Sequence, residues 1–210
     1  INWDYAEIVR HLSSSEPVHI IVQSEQHKEK VKSILNRIEI DLTNIDFFII
    51  KTNRSWLRDN GPIYIKNILK NNLEQKYICN FGFNGWARFP TWKLDNNVPE
   101  IISEKTDMPV INAVFPNGEP MILEGGSIDV NGQGTLITTE QCLLSKKKYI
   151  RNPGKSRREI EQVIKKYLGI TNIIWLNEGL FGDDTHGHID NVCRFVSHDT
   201  VLVAKPTNRK

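Results

Sequence analysis

The sequence is poor in cysteine and has no cysteine pattern typical of a cross-linked or zinc-bound protein. Its 210 residues contain 3 cysteines, an odd number. Cys79, Cys142 and Cys193 are far apart and none belongs to a CxxC pair, which argues against a disulfide framework or a thiolate zinc site. Each lies in an apolar or strand-like segment, so we expect three buried thiols and not nucleophiles.

The sequence also lacks long apolar runs, a strong charge of one sign and linker-like stretches. Its apolar runs are far shorter than the roughly 20 residues that span a bilayer, and no charged-then-apolar leader precedes Ile1. A formal net charge of +2 at pH 7 creates no field that would gather nucleic acid or an anionic membrane. We therefore expect a single cytoplasmic domain over residues 1–210 with neither kind of partner.

Strand-like segments that alternate with amphipathic helices and hairpins predict a mixed α/β fold. Ser24 is placed to cap one helix, and Ser156 with Glu159 forms a capping box for another. Asn131 and Gly132 predict a tight hairpin turn, because both residues tolerate positive φ. The predicted strands are 18–23, 46–51, 62–66, 76–83 and 172–176, the helices 25–38, 99–105 and 156–168, and the hairpins 127–130 with 135–139 and 190–196 with 200–204.

Three acids recur at nearly constant spacing beside predicted strands. Asp59, Glu124 and Asp190 are separated by 65 residues (124 − 59) and 66 residues (190 − 124). An acid at the same place in each unit predicts structural repeats arranged about an axis, each sending one carboxylate toward a common centre.

The segment 182–190 is the densest in titratable groups, with three carboxylates and two imidazoles in nine residues. Such groups are costly near a core unless they bind something or do chemistry. On a β-strand, His186, His188 and Asp190 would share one face. They could then hold a divalent metal, or Asp190 could accept hydrogen bonds from a planar cation while His188 moves protons. Gly187 favours the second interpretation, a pocket for a planar cation, because a glycine lets a substrate approach the backbone.

Two further motifs supply an aromatic wall and more acids. Trp56 can stack on a cation, and Asp59 can oppose a positive substrate. Glu124 is followed by two glycines, which let the backbone approach a ligand. With Asp184 and Asp190 they form an anionic, partly apolar pocket, which matches a guanidinium because its fixed planar donors pair with carboxylates bidentately.

Five motifs follow one another along the chain: residues 56–62, 81–86, 124–127, 151–154 and 182–190. In this order they resemble the agmatine deiminase and bacterial-type peptidylarginine deiminase family. The resemblance covers nearly the whole chain, and it implies the pentein fold, a pseudo-fivefold α/β propeller, of which about three of five modules would be present.

The resemblance implies a role for each candidate residue and implies no cofactor and no metal. In the catalytic group, His188 would be the general acid and base, Asp190 would grip the guanidinium, and Glu124 would hold the substrate or position the base. In the substrate-binding group, Trp56 and Asp59 would line the guanidinium pocket. Asp184 would hold the far end of the substrate or orient the histidine.

The implied reaction converts a guanidino group to a ureido group with release of ammonia. The expected substrate is agmatine, and the product would be N-carbamoylputrescine, a step toward putrescine. The family nucleophile is a cysteine in a Gly-rich His-Cys segment, which forms a covalent thiouronium intermediate. No such segment occurs in these 210 residues. We therefore expect a chain truncated relative to the family at its C-terminus and N-terminus, and inactive by itself.

Three alternatives stay open at this point. The protein could be a peptidylarginine deiminase, or a metal-dependent hydrolase that uses His186, His188 and Asp190. It could also be a catalytically dead guanidinium-binding module. The resemblance leaves homo-oligomerisation open.

Overall fold

A computed structural model describes residues 2–68 and 74–205. The chain divides into two compact units, Ile1–Thr52 and Asn53–Lys210. This division marks two segments that are each internally compact, and it does not test the prediction of a single domain over residues 1–210.

The first unit is a strand-helix-strand motif preceded by a helix. Helix α1 spans Asn2–Ser13, strand β1 Val18–Val22, helix α2 Glu25–Arg37 and strand β2 Ile45–Ile49. The strands are parallel, with Val18 opposite Ile45, as expected when a helix connects them. The Ser24 side chain accepts a hydrogen bond from the His27 amide, which confirms the predicted cap. Helix α1 was missed by the sequence analysis.

The second unit contains the remaining elements. Its strands are β3 Ile63–Ile68, β4 Glu74–Asn80, β5 Val110–Asn112, β6 Asp129–Val130, β7 Thr135–Thr139, β8 Asn172–Leu176, β9 Cys193–Phe195 and β10 Val201–Val203. Its helices are α3 Leu57–Asn60, α4 Lys93–Asn96, α5 Val98–Thr106, α6 Glu140–Leu143 and α7 Arg157–Leu168, with 3₁₀ turns at Gly125–Ser127 and Ile189–Asn191. Most predicted elements are present with ends shifted by a few residues.

Two three-stranded sheets of this unit share one connection pattern. Strand β3 pairs antiparallel with β4, which pairs parallel with β5. Strand β6 likewise pairs antiparallel with β7, which pairs parallel with β8. In both cases helices connect the two parallel strands, which confirms the mixed α/β class. The pentein propeller and its module count stay predictions.

The core of this unit lies between helix α7 and the two sheets. Ile160, Val163 and Ile164 are buried on one face of α7, at the i, i+3, i+4 spacing of an amphipathic helix. They join a cluster that includes Leu136 of β7 and Met121. Ile63 of β3 packs against this cluster, and Ile128, directly before β6, belongs to it.

The three regularly spaced acids lie on short helical turns that contact one another. Asp59 lies in α3, Glu124 directly precedes the turn at 125–127, and Asp190 lies in the turn at 189–191. Helix α3 contacts the turn at 125–127, which in turn contacts the one at 189–191. The predicted common centre for these acids is therefore present.

One strand prediction is wrong, and it concerns the densest motif. Residues 183–188 form turns, and β9 begins at Cys193 instead of residue 190. His186 has φ 61° and Gly187 has φ 98°, and neither value is compatible with an extended strand. His186, His188 and Asp190 therefore do not share a strand face.

Across both described stretches, none of the helices combines the length and the apolar character needed to cross a bilayer.

The capping box of α7 gives a stability test. The Ser156 side chain accepts from the Glu159 amide, and Glu159 accepts from the Ser156 amide. Ser156→Ala removes one half of this exchange and should lower the free energy of unfolding by about 1 kcal/mol. Chemical denaturation measures it. Ser156→Thr keeps a hydroxyl and should retain most of the stability; equal losses in both variants would contradict the capping role.

Candidate active site

A buried histidine lies at the centre of the three acids. His188 is 2% exposed. Its Nδ1 lies 3.7 Å from Asp59 Oδ1 and 3.9 Å from Asp190 Oδ1, and its Nε2 lies 3.5 Å from Glu124 Oε2. Side chains far apart along the chain therefore meet around one imidazole.

Gly126 makes this convergence possible. Its amide donates to Asp59 Oδ1 at 3.0 Å. A Cβ atom at this position would lie 2.5 Å from His188 Nδ1, 2.6 Å from Asp59 Oδ1 and 2.8 Å from Asp190 Oδ2, closer than such contacts allow. The glycines after Glu124 were expected to admit a ligand; Gly126 instead admits the side chains of the site itself.

Asp59 is held by an indole that the sequence analysis did not assign to the site. Trp86 Nε1 donates to Asp59 Oδ2 at 2.9 Å, so both carboxylate oxygens have hydrogen-bond partners. Burial raises the pKa of Asp59 above its ordinary value, against the opposing effects of His188 and Trp86. The motif at 81–86 was visible in the sequence, but whether its aromatic residues belong to the core or to a pocket was not.

Glu124 is ionised by a buried ion pair. Burial alone would raise the pKa of Glu124, but the guanidinium of Arg151 and the imidazole of His188 outweigh it, so this pKa lies below its ordinary value. Arg151 Nε lies 3.1 Å from Glu124 Oε1, and both side chains are fully buried. The sequence pointed to the Arg151 motif without giving it a role.

The same carboxylates favour the protonated form of His188. Burial alone would lower the pKa of His188, but the negative charges of Glu124, Asp59 and Asp190 outweigh it and raise the pKa, with Glu124 closest at 3.5 Å from Nε2. The arrangement therefore favours the imidazolium, the form of histidine that can donate a proton.

Asp183 shapes the turn that carries the histidine. Its carboxylate accepts from the amides of Thr185 at 3.0 Å, Gly187 at 3.1 Å and His188 at 3.3 Å. Three amides on one carboxylate replace the strand pairing that was predicted here. The Asp-x-Thr spacing was the available sequence signal for this turn.

A cavity of about 470 Å³ opens onto the histidine. Five of the six predicted side chains line it: Trp56, Asp59, Asp184, His188 and Asp190. Trp56 is 61% exposed and forms part of the wall. The side chain of Asp184 is 84% exposed, and its Oδ1 lies 2.7 Å from Arg88 Nη1. Glu124 does not line the cavity and contacts His188 from behind, a position suited to holding the base and not the substrate.

The predicted metal triplet is not assembled. His186 packs edge-on against Tyr149, with ring centres 5.1 Å apart. Within the described residues, the group that could hold a metal is Glu124, Cys142 and His188, without His186. Arg151 already pairs with Glu124, and burial strongly raises the pKa of the Cys142 thiol. A protonated thiol beside a neutralised carboxylate is a poor donor set for a cation.

The three cysteines are free and buried, which confirms the expectation. Burial raises the pKa of Cys79 to about 12 and also raises that of Cys193. None of the three lines the cavity at His188. The described residues therefore supply the acids and the base of a site, but no thiolate.

An α/β frame thus gathers three carboxylates around one imidazole, with a cavity beside it. The profile of the Porphyromonas-type peptidyl-arginine deiminase family matches residues 1–210. The chain belongs to this family.

The similar proteins are deiminases. The agmatine deiminase of Pseudomonas syringae pv. tomato is 36% identical over 205 residues, covering 95% of this chain and 51% of that protein. A solved C. jejuni agmatine deiminase, with substrate bound, is 31% identical with TM-score 0.75, covering 95% of this chain and 54% of that one. The Enterococcus faecalis agmatine deiminase is 27% identical with TM-score 0.81, covering 98% and 52%. The chain spans about half the length of these relatives.

Gly126→Ala should disrupt the site. The added methyl group must displace His188, Asp59 or Asp190, and such overpacking costs about 1–3 kcal/mol. The readout is the NMR signal of the His188 imidazole, which should shift or broaden. Gly132→Ala is the control: alanine is strained at its φ of 73° and should cost some stability, but a Cβ there meets nothing within 4 Å, so the His188 signal should stay in place. An unchanged signal in Gly126→Ala would contradict the close approach.

The raised pKa of His188 predicts a pH-dependent contribution to stability. A group with a raised folded-state pKa stabilises fully below its unfolded pKa of about 6.5, and the effect is lost as pH rises through the folded-state value. The difference in unfolding free energy between wild type and His188→Gln should therefore be larger at about pH 6 than at about pH 9. His198→Gln, on an exposed residue, is the control; a difference for His188→Gln that does not change with pH would refute the charged cluster.

Proposed function

We propose that the protein containing this chain hydrolyses a guanidino substrate to a ureido product and ammonia, with agmatine as the substrate. The observation that carries this proposal is the convergence of Asp59, Glu124 and Asp190 on His188 beside one cavity. The names of the similar proteins support the same chemistry.

The cavity suits a flat cation. Asp59 and Asp190 present carboxylates to it, and paired carboxylates match the fixed donors of a guanidinium. Arg58 Nε lies 3.8 Å from Asp190 Oδ2, so a guanidinium of the protein already contacts the carboxylate that we assign to the substrate. Trp56 adds an aromatic surface on which a cation can stack.

The proposed chemistry needs a thiolate from outside these 210 residues. The thiolate attacks the guanidinium carbon and forms a C–S bond. His188 protonates the departing nitrogen, and ammonia leaves with breakage of a C–N bond. Water then attacks the thiouronium carbon and loses one proton to His188. The C–S bond breaks to release the thiolate, and the remaining hydroxyl proton passes to solvent, where it protonates the released ammonia and leaves the neutral ureido product.

Two observations support an external cysteine. Cys79, Cys142 and Cys193 are buried and do not line the cavity. One solved relative with bound substrate is a cysteine-to-serine variant of an agmatine deiminase. We therefore propose that residues 1–210 by themselves bind substrate weakly and turn over none.

Asp184 supports agmatine over a C-terminal arginine. It lies at the cavity, and its carboxylate is exposed. A negative charge there attracts the distal ammonium of agmatine and repels the carboxylate of a C-terminal arginine. Arg88 already pairs with Asp184, so the ammonium would share this carboxylate.

Ammonia release tests the function. The complete protein containing this chain should release ammonia from agmatine, and His188→Gln should reduce kcat by about 10²- to 10⁴-fold, the usual contribution of a general acid-base group. His198→Gln, on an exposed histidine, should retain activity. Release from peptide C-terminal arginine but not from agmatine would contradict the proposed substrate, and release from neither would contradict the function.

A further inference from the structure

Arg151 is a fully buried cation that does not line the cavity. Its side chain is 0% exposed, and its Nε lies 3.1 Å from Glu124 Oε1. It is absent from the cavity wall around His188. Arg151 can therefore influence a reaction in the cavity only through a residue that it contacts.

Each nitrogen of the Arg151 guanidinium has a partner. Nη1 donates to the Tyr149 carbonyl at 3.0 Å, and Nη2 donates to the Thr185 carbonyl. Thr185 belongs to the turn that Asp183 organises and that ends at His188. The planar guanidinium of Arg151 thus links Glu124 to the turn that carries His188.

The two oxygens of Glu124 face different groups. Oε1 is occupied by Arg151, and Oε2 faces His188 Nε2 at 3.5 Å and Cys142 Sγ at 3.9 Å. His188 is a second cation beside this buried carboxylate, so the loss of Arg151, the larger of the two influences, shifts Glu124 toward its protonated form without removing every positive neighbour.

From these contacts we infer that Arg151 is a positioning residue: it keeps Glu124 ionised and aimed at His188 Nε2, and it fixes the turn at 183–188. Its consequence for turnover rests on the proposed function; its effect on Glu124 does not. The charged and titratable groups that face this pair are Cys142, His188, Asp59, Asp183 and His186, and Asp190 acts on it only through His188.

The pKa of Glu124 supports the inference. Burial pushes this pKa upward, and Arg151 is the largest of the opposing influences. Removing the guanidinium should therefore raise the pKa of Glu124, and the neutral acid would be a weaker partner for a protonated imidazole.

Infrared spectroscopy of the complete protein without substrate tests the ionisation without any enzyme assay. At neutral pH, Arg151→Met should gain a protonated-carboxyl band that is missing in the wild-type chain and in Arg151→Met/Glu124→Gln. Arg157→Met, which breaks an exposed ion pair with Glu140, should gain no band. A spectrum of Arg151→Met without the new band would overturn the inference.

Folding is checked with the same variants. The double variant removes both charges, so it should fold even where Arg151→Met alone does not. Failure of the single variant with recovery in the double variant would support the unpaired carboxylate as the cause. Equal unfolding of both would mean that Arg151 serves packing only, and the inference would be wrong.

Kinetics of the complete protein test the catalytic consequence. Arg151→Met should lower kcat for agmatine about a hundred-fold with KM within about two-fold, and should move the acid limb of the pH profile to higher pH. Arg151→Lys keeps the charge and should keep the acid limb near its wild-type position. A rise in KM at unchanged kcat would overturn the positioning role. An inactive wild type with the expected infrared band would refute the proposed function and leave the Glu124 inference standing.

Discussion

The structure depends on the burial of one imidazole among carboxylates. An unpaired charge in the interior is strongly unfavourable, so each charge of the cluster needs an opposite charge or a hydrogen-bond donor. His188 faces Glu124 on one side and Asp59 and Asp190 on the other. Arg151 neutralises Glu124 from behind, and a buried indole holds Asp59. Asp59, Asp190 and Trp86 line the cavity, whereas Glu124 and Arg151 support His188 from outside it.

Backbone shape is the second constraint on this cluster. The carboxylates come from short helical turns at the edges of sheets, and these turns meet only because the backbone at Gly126 carries no side chain. The turn before His188 uses positive φ at two positions and three amides on the Asp183 carboxylate. Local rigidity of this kind places the imidazole without help from strand pairing, which suits a group that must keep one orientation while its charge changes.

Elements specified by short-range chemistry were predictable from the sequence. Ser24 and Ser156 cap helices as expected, and the Asn-Gly turn joins two short strands. The regular spacing of Asp59, Glu124 and Asp190 predicted their shared centre. The turn at 183–188 was not predictable in the same way, because alternating polar residues suit a strand equally well, and the competing hydrogen bonds of Asp183 decide the outcome. Trp86 and Arg151 were visible as motif residues, but their partners lie 27 residues away in each case.

The sequence by itself determined the residue types of the site, their spacing and the family, because these are properties of the order of residues. Only the tertiary structure decided which charges meet: that Glu124 contacts the histidine from behind, that His186 points away toward Tyr149, and that Arg151 pairs with the buried acid. The physical reason is that electrostatic pairing depends on distance and burial, and neither quantity is carried by sequence separation.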